Sequence, residues 1–186
     1  MQTQTLFRNQ EAFTIIELII SVSIVAIISA LVIPNFKDFR EKKALESQTQ
    51  LAIGHLRELQ NAVMTGKNFE NVSSEGGYGM RITLARPDRM FLFADLNSDR
   101  VLSGNEELIE GGEILLIGDI VFSNFEPLGN AMDIVFTPPK GDIFINGARD
   151  GAVTGTLMLQ HEKTRTSTQI NINIISGQIS SSPYGQ

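Results

Sequence analysis

Apolar positions change their spacing along this chain, and each spacing predicts a different element. From Phe13 to Ile33 the residues are apolar almost without interruption, and the run stops at Pro34. Roughly 21 residues at 1.5 Å rise make a helix of about 31 Å, the thickness of a bilayer's hydrocarbon core. Thr14, Ser21, Ser23 and Ser29 are compatible with such a helix, because hydroxyls can bond back to helix carbonyls. Beyond Pro34, apolar residues recur at mostly three- and four-residue steps: Phe36, Phe39, Leu45, Ala52, Leu56, Leu59 and Val63, with Leu51 and Ile53 broadening the stripe. Lys37, Arg40, Glu41, Lys42, Glu46, Arg57 and Glu58 fill the opposite face, which is the pattern of an amphipathic helix packed on a core. Pro34 should loosen the helix locally by removing one hydrogen bond, and Gly66 should end it. Together the two regimes predict one helix of about 50 residues, its first half in lipid and its second half on a folded domain.

From Gly76 the period shortens to β-like runs: 78–84, 90–96, 113–117, 120–125, 133–136, 142–146, 154–160 and 168–175. Turn signals separate them at Arg86-Pro87-Asp88, Gly111-Gly112, Pro138-Pro139-Lys140-Gly141, Asn146-Gly147 and Asp150-Gly151. Ile170-Asn171-Ile172-Asn173-Ile174 alternates cleanly, as a strand with one buried face does. Residues 68–77 read as a polar loop and 180–186 as a frayed tail. One long helix followed by about eight strands predicts an α+β fold, with the helix stripe covering antiparallel strands. No internal repeat is visible.

The chain has 186 residues and a net charge of −6. About 150 residues follow the apolar run, enough to bury a core without staples. Cysteine is absent, which excludes disulfides, thiolate metal sites and thiol chemistry. The acidic balance argues against general nucleic-acid binding, which Lys and Arg drive by neutralising phosphates. His55 and His161 are far apart in sequence and read as surface or half-buried side chains rather than catalytic groups.

One acid interrupts the apolar run. A carboxylate in hydrocarbon is costly unless it finds a partner, so Glu17 is a functional residue by default. A cleaved secretory signal would have a shorter apolar region ending at a small-residue site; here the small residue, Ala12, stands at the other end. Basic residues count the other way from an extracytoplasmic domain, with Arg8 alone before the run and Lys37, Arg40, Lys42 and Lys43 after it.

Ala12 followed by Phe13-Thr14-Ile15-Ile16-Glu17, a long apolar run and Pro34 resembles the prepilin signal of the type IV pilin family. The resemblance implies a leader, Met1 to Ala12, cut before Phe13 by a membrane aspartic prepilin peptidase, with methylation of the new amine. Ala12 departs from the usual glycine, and Pro34 falls where many members carry a helix-kinking proline. Cleavage would remove Arg8 and Glu11, leaving the net charge unchanged. In assembled filaments of the family, the glutamate is thought to pair with the amine of a neighbouring subunit. Physics agrees, since an ammonium and a carboxylate that neutralise each other can leave water together whereas neither can alone. The bland alternative is a glutamate snorkelling to the headgroups.

The resemblance divides the chain into a leader (1–12), a transmembrane and assembly helix (13–33), its amphipathic continuation (34–66) and a β-rich domain (67–186). It implies a single-pass protein of the bacterial inner membrane with the β-rich domain outside the cytoplasm. The implied partners are the prepilin peptidase, other pilin or pseudopilin subunits and the inner-membrane assembly platform. Within the family, the layout is most similar to the minor pseudopilin H of type II secretion and to FimT-like minor pilins. It would then be a structural subunit at or near the tip of a pseudopilus, priming assembly, or else a minor pilin of a type IV pilus.

Residues 95–106 carry the one candidate ion site. Asp95, Asn97, Asp99 and Glu106 occupy loop positions 1, 3, 5 and 12 of a calcium-binding loop, and Val101 would offer its carbonyl at position 7. Arg100 stands where that loop needs glycine, and a strand rather than a helix precedes it. A calcium site and a solvated turn bonding its own backbone both fit this sequence.

No nucleophile–base set, His-Glu-x-x-His or phosphate loop is present, so nothing points to an enzyme. Some FimT-like pilins bind DNA through a basic Gly-Arg-x-Arg element near the C-terminal hairpin. The corresponding Gly177-Gln178-Ile179-Ser180 has no arginine, and the tail beyond it carries no charged side chain, which argues against a DNA receptor. Lys163 and Arg165 read as a solvated hairpin end.

Overall fold

A computed structural model describes residues 13–149 and 154–184, with side chains at 13–30, 39–105, 107–149 and 154–183. The leader of residues 1–12 and the Asp150-Gly151 turn signal lie outside the described residues. Contacts divide the chain into two compact units, residues 1–40 and 41–186. The helix α1 (Ile15–Thr65) begins in the first and ends in the second.

In the first unit, Thr14 supplies the start of the helix: its Oγ1 accepts the N–H of Glu17 at 3.3 Å, satisfying one of the donors that a helix N-terminus leaves free. Ser21, Ser23 and Ser29 donate to the carbonyls of Glu17, Ile19 and Val25 at 2.7–2.8 Å, so the hydroxyls are hidden within the helix as expected. Leu18, Ile19 and Ile20 are all more than half exposed, and three consecutive residues at about 100° per step sweep most of the helix circumference. The apolar surface therefore faces every direction. Among the described residues, no helix is long and apolar enough to cross a membrane. Described side chains in the run end at Ala30, about 22 Å from Ile15 at 1.5 Å per residue; the expected lipid half extends past them to Ile33.

In the second unit, α1 buries Leu45, Ala52, Ile53, Leu56, Leu59, Ala62 and Val63, together with Gln48 and Thr49. Phe39 and Leu51, which spacing put on the apolar stripe, are exposed. Leu51 lies one residue, about 100°, off the arc that runs through Leu45, Thr49, Ala52, Leu56 and Leu59. Phe36 lies outside the described side chains. The helix ends as its sequence predicts. Gly66 takes φ +64°, its N–H reaches the carbonyl of Val63 at 3.3 Å, and the N–H of Lys67 reaches that of Ala62 at 3.1 Å. This is a Schellman turn, which needs a residue tolerant of the left-handed conformation.

Among the described residues nine strands follow: β1 (Tyr78–Thr83), β2 (Arg89–Ala94), β3 (Leu108–Leu115), β4 (Ile120–Glu126), β5 (Ala131–Thr137), β6 (Asp142–Ile145), β7 (Thr154–His161), β8 (Ser167–Asn173) and β9 (Ile179–Tyr184). They form two antiparallel sheets, ordered β3-β2-β1-β5-β6 and β4-β7-β8-β9. The fold is α+β, as the sequence predicts. Two expectations are corrected. Gly111-Gly112 is no turn between strands but lies inside β3, where the register against β2 slips between Phe91 and Phe93 and Gly111 takes φ +77°; the bulge is what glycine permits there. The tail does not fray at Ser180: Ile179 to Tyr184 pairs with β8, from Ile172↔Ile179 to Ser167↔Tyr184.

One apolar cluster joins the buried face of α1 to both sheets. It contains Leu56 and Leu59 with Met80, Ile82 and Ile134 from the first sheet and Phe122, Leu157 and Ile170 from the second. Polar ties fix the helix in register: Arg57 Nη2 donates to the carbonyl of Ile179 at 3.0 Å, Gln60 Nε2 to that of Gly177 at 3.2 Å, and Ile117 N–H to Gln48 Oε1 at 3.2 Å. A second, smaller cluster of Phe93, Val135 and Phe144, with Leu102 against it, comes from a separate row. Phe93, Gly79, Val135 and Phe144 are direct cross-strand partners, so they share one face of the five-stranded sheet. Leu102 comes from the acidic loop between β2 and β3.

Candidate functional site

The acidic loop is built on the end of β2. Asp95 follows Ala94 and is fully buried. Its N–H donates to the carbonyl of Gly77 at 2.9 Å, and a Cβ on Gly76 would stand 2.3 Å from its carbonyl oxygen; a glycine there lets the backbone of the two segments touch. Asp95 Oδ1 accepts the N–H of Asp99 at 3.1 Å and Oδ2 that of Arg100 at 3.0 Å. Asn97 Oδ1 also accepts from Asp99 N–H, at 2.9 Å, and Asp99 Oδ1 accepts from Val101 N–H at 3.0 Å. Ser103 donates its hydroxyl to Asp99 Oδ2 and its N–H to Glu107 Oε2 at 2.7 Å. The carboxylates thus wind the loop by accepting its backbone donors.

Arg100 takes φ +67°, a left-handed conformation uncommon for arginine, at the position where a calcium-binding loop needs glycine. Its guanidinium lies 3.9 Å from the centre of the Phe144 ring, an attraction that offsets part of the backbone strain. Beneath the loop, Arg81 makes a bidentate pair with buried Asp133, with Nε to Oδ1 at 2.6 Å. Asp133 Oδ2 also accepts Leu102 N–H at 3.3 Å. Arg81 and Arg100 thereby make their close contacts with Asp133 and Phe144, although the charge of Arg81 still helps to lower the Asp99 pKa.

One carboxylate oxygen each from Asp95, Asp99 and Glu107 lies within 4.8 Å of the others. Glu107 is buried, and its Oε1 has no hydrogen-bond partner among the described residues. Burial pushes the Asp95 carboxyl above the usual aspartate range; the N–H of Arg100 opposes this, and the charges of Asp99 and Glu107 add to it. The Ser103 hydroxyl is the main cause that holds Asp99 below that range. Among the described side chains, the third acid in the cluster is Glu107; the side chain of Glu106, which loop counting picks, lies outside those described. Both belong to the short 3-10 turn Asn105–Glu107, a geometry the twelve-residue count does not contain.

At the other end of the chain, Phe13 precedes the helix, and Glu17 lies in its first turn, where the positive end of the helix dipole favours a carboxylate. Thr14-Ile15-Ile16-Glu17 is also the spacing of a capping box, in which the glutamate would reach back to the N–H of its own cap. Only one arm, Glu17 N–H to Thr14 Oγ1, is formed among the described residues. The carboxylate remains free of the box. Pro34 lies within α1 with its side chain outside those described, and Ala12 precedes the described residues.

Residues 7–33 match the prokaryotic N-terminal methylation motif. This is a type IV pilin-like prepilin signal. It implies processing by a prepilin peptidase and assembly with other pilin-like subunits, and it places Ala12, Phe13 and Glu17 inside the matched segment. No curated protein and no solved structure matches the chain.

Three features bear on other readings. Gly177, at the start of the Gly177-Gln178-Ile179-Ser180 stretch, takes φ +70° in the turn from β8 to β9, and that stretch offers only neutral groups. Lys163 lies in the exposed turn between β7 and β8, a solvated hairpin end as expected, and pairs there with Asp119 at 2.5 Å; the pair raises the Lys163 pKa and lowers that of Asp119. His161 is buried, not on the surface, and its Nδ1 faces the N–H of Lys163 at 3.3 Å and of Thr164 at 3.4 Å, a turn-stabilising role.

Proposed function

We propose that this chain is a minor pseudopilin of a type II secretion pseudopilus, acting at or near the filament tip to prime assembly. The observation that supports the pilin-like part of the reading is the match over residues 7–33, a span that contains Phe13 and Glu17; the minor pseudopilin role rests on the resemblance of layout. Residues 1–12 are the leader, and cleavage between Ala12 and Phe13 frees the amine that is then methylated. Residues 13–33 anchor the protein singly in the bacterial inner membrane and become its assembly helix. Residues 34–66, starting at Pro34, continue that helix, and residues 67–186 form the extracytoplasmic domain. The assembly platform and sister subunits are the partners.

The physical step is a transfer between two apolar environments. An apolar surface exposed on all sides of the helix, as at Leu18 to Ile20, needs lipid or sister helices around it. Glu17 makes the second environment selective. Leaving the headgroup region with an unpaired carboxylate is costly, and the amine of a neighbouring Phe13 removes that cost by pairing with it.

A clean deletion strain, scored for protein secreted into the medium and for surface pili in parallel, tests the reading. Loss of secretion with pili intact is the expected result. Loss of pili or of DNA uptake with secretion intact would instead make the protein a type IV pilus minor pilin.

A further inference from the structure

We propose that the loop from Asp95 to Glu107 is a calcium site in which Asp95, Asp99 and Glu107 are the carboxylate ligands. Their mutual spacing, within 4.8 Å, suits one ion whose oxygen ligands stand at about 2.3–2.6 Å. Asn97 and Val101, at alternating positions of the same loop, offer neutral oxygens to the remainder of the shell. The independent observation is Glu107 itself. It is 3% exposed, its carboxylate belongs to the cluster, and its Oε1 is without a partner among the described residues. A buried oxygen of this kind is rare in a finished structure and calls for a ligand.

Charge leads to the same occupant. Three carboxylates converge, two of them buried, and no lysine or arginine forms an ion pair with any of them among the described residues. Arg81 is held by Asp133, and Arg100 lies over Phe144. A small cation is the group that can enter this space and answer all three charges. Calcium fits better than magnesium, because magnesium demands near-octahedral geometry at about 2.0–2.1 Å and gives up its waters reluctantly. The ion would pin the loop, and with it Leu102, over Phe93, Val135 and Phe144. The site is separate from the N-terminal motif and does not depend on the assembly reading.

The test uses the full chain in detergent micelles, stripped with chelator, and then given about 10 mM calcium or magnesium, a range suited to extracellular-type sites with Kd of about 10⁻⁴–10⁻³ M. Calcium is expected to raise the unfolding temperature by about 5 °C, and magnesium by much less. Asp99→Asn and Glu107→Gln should abolish the shift, while Glu106→Gln should keep it. Circular dichroism identifies any variant that fails to fold, and equilibrium dialysis of the unmutated chain with radioactive calcium, expected at one ion per chain, then decides in its place. No calcium shift and no bound ion, an equal shift with magnesium, or a shift that survives both Asp99→Asn and Glu107→Gln would overturn the proposal. Loss of the shift in Glu106→Gln with its retention in Glu107→Gln would overturn the choice of Glu107.

Discussion

Thr14 and Glu17 stand one helical turn apart, and the two roles open to Glu17 there separate by chemistry. As half of a capping box it needs only an acceptor oxygen, which glutamine also supplies. As the counter-charge of a neighbour's amine it needs the negative charge. Glu17→Gln and Glu17→Ala are therefore both expected to insert in the membrane normally and fail to enter filaments, as read by membrane fractionation and by crosslinking to sister subunits. Full incorporation of Glu17→Gln would reduce the residue to a cap. At Asp95 and Asp99 the neighbours act in opposite directions. A carbon-detected NMR titration without added calcium should place Asp95 above, and Asp99 below, the ordinary aspartate midpoint of about 3.9. Folded Asp95 keeps its proton to higher pH than the unfolded chain does, so its contribution makes stability fall as pH rises through that window. Asp99 does the reverse, and its contribution is lost as pH falls through its lowered folded pKa. Gly76→Ala should destabilise by about 1–3 kcal/mol in denaturant melts, because the new methyl would overlap the backbone oxygen of Asp95.

Among elements, α1 was the most legible. Its period and its closing Gly66 are local signals, and local hydrogen bonds answer Gly66; the capping role of Thr14 shows only in the structure. The limits of the buried arc were not local: Leu51 and Ile53 look alike in the pattern, yet Leu51 is 36% exposed and Ile53 2%. Leu56→Ala should thus cost about 2–5 kcal/mol, and Leu51→Ala well under half of that, in equilibrium unfolding. The strand β9 was illegible because Ile179-Ser180-Ser181-Ser182-Pro183 has no apolar alternation. The open edge of β8 makes it a strand through backbone pairing, and Pro183 is tolerated because β9 is itself an edge. Ending the chain after Gly177 should lower the unfolding temperature measurably, since it removes buried Ile179 and the carbonyl that Arg57 holds. An unchanged melt would mean that the tail contributes nothing.

At the scale of the whole molecule, the sequence by itself carries the N-terminal methylation motif of residues 7–33. Phe13, Glu17, the apolar run and Pro34 are contiguous in the chain, so their register survives without knowledge of any other contact. It also determined the α+β class, since a 3.6-residue period followed by short alternating runs admits few other arrangements. Only the tertiary structure decided which strands pair, because two sheets ordered β3-β2-β1-β5-β6 and β4-β7-β8-β9 depend on contacts between distant segments that share the helix face. It likewise showed that, among the described side chains, Glu107 from a 3-10 turn joins Asp95 and Asp99, a residue that counting along the loop does not pick. Burial, which comes from the sheet and loop around it, leaves the Glu107 oxygen without a partner among the described residues.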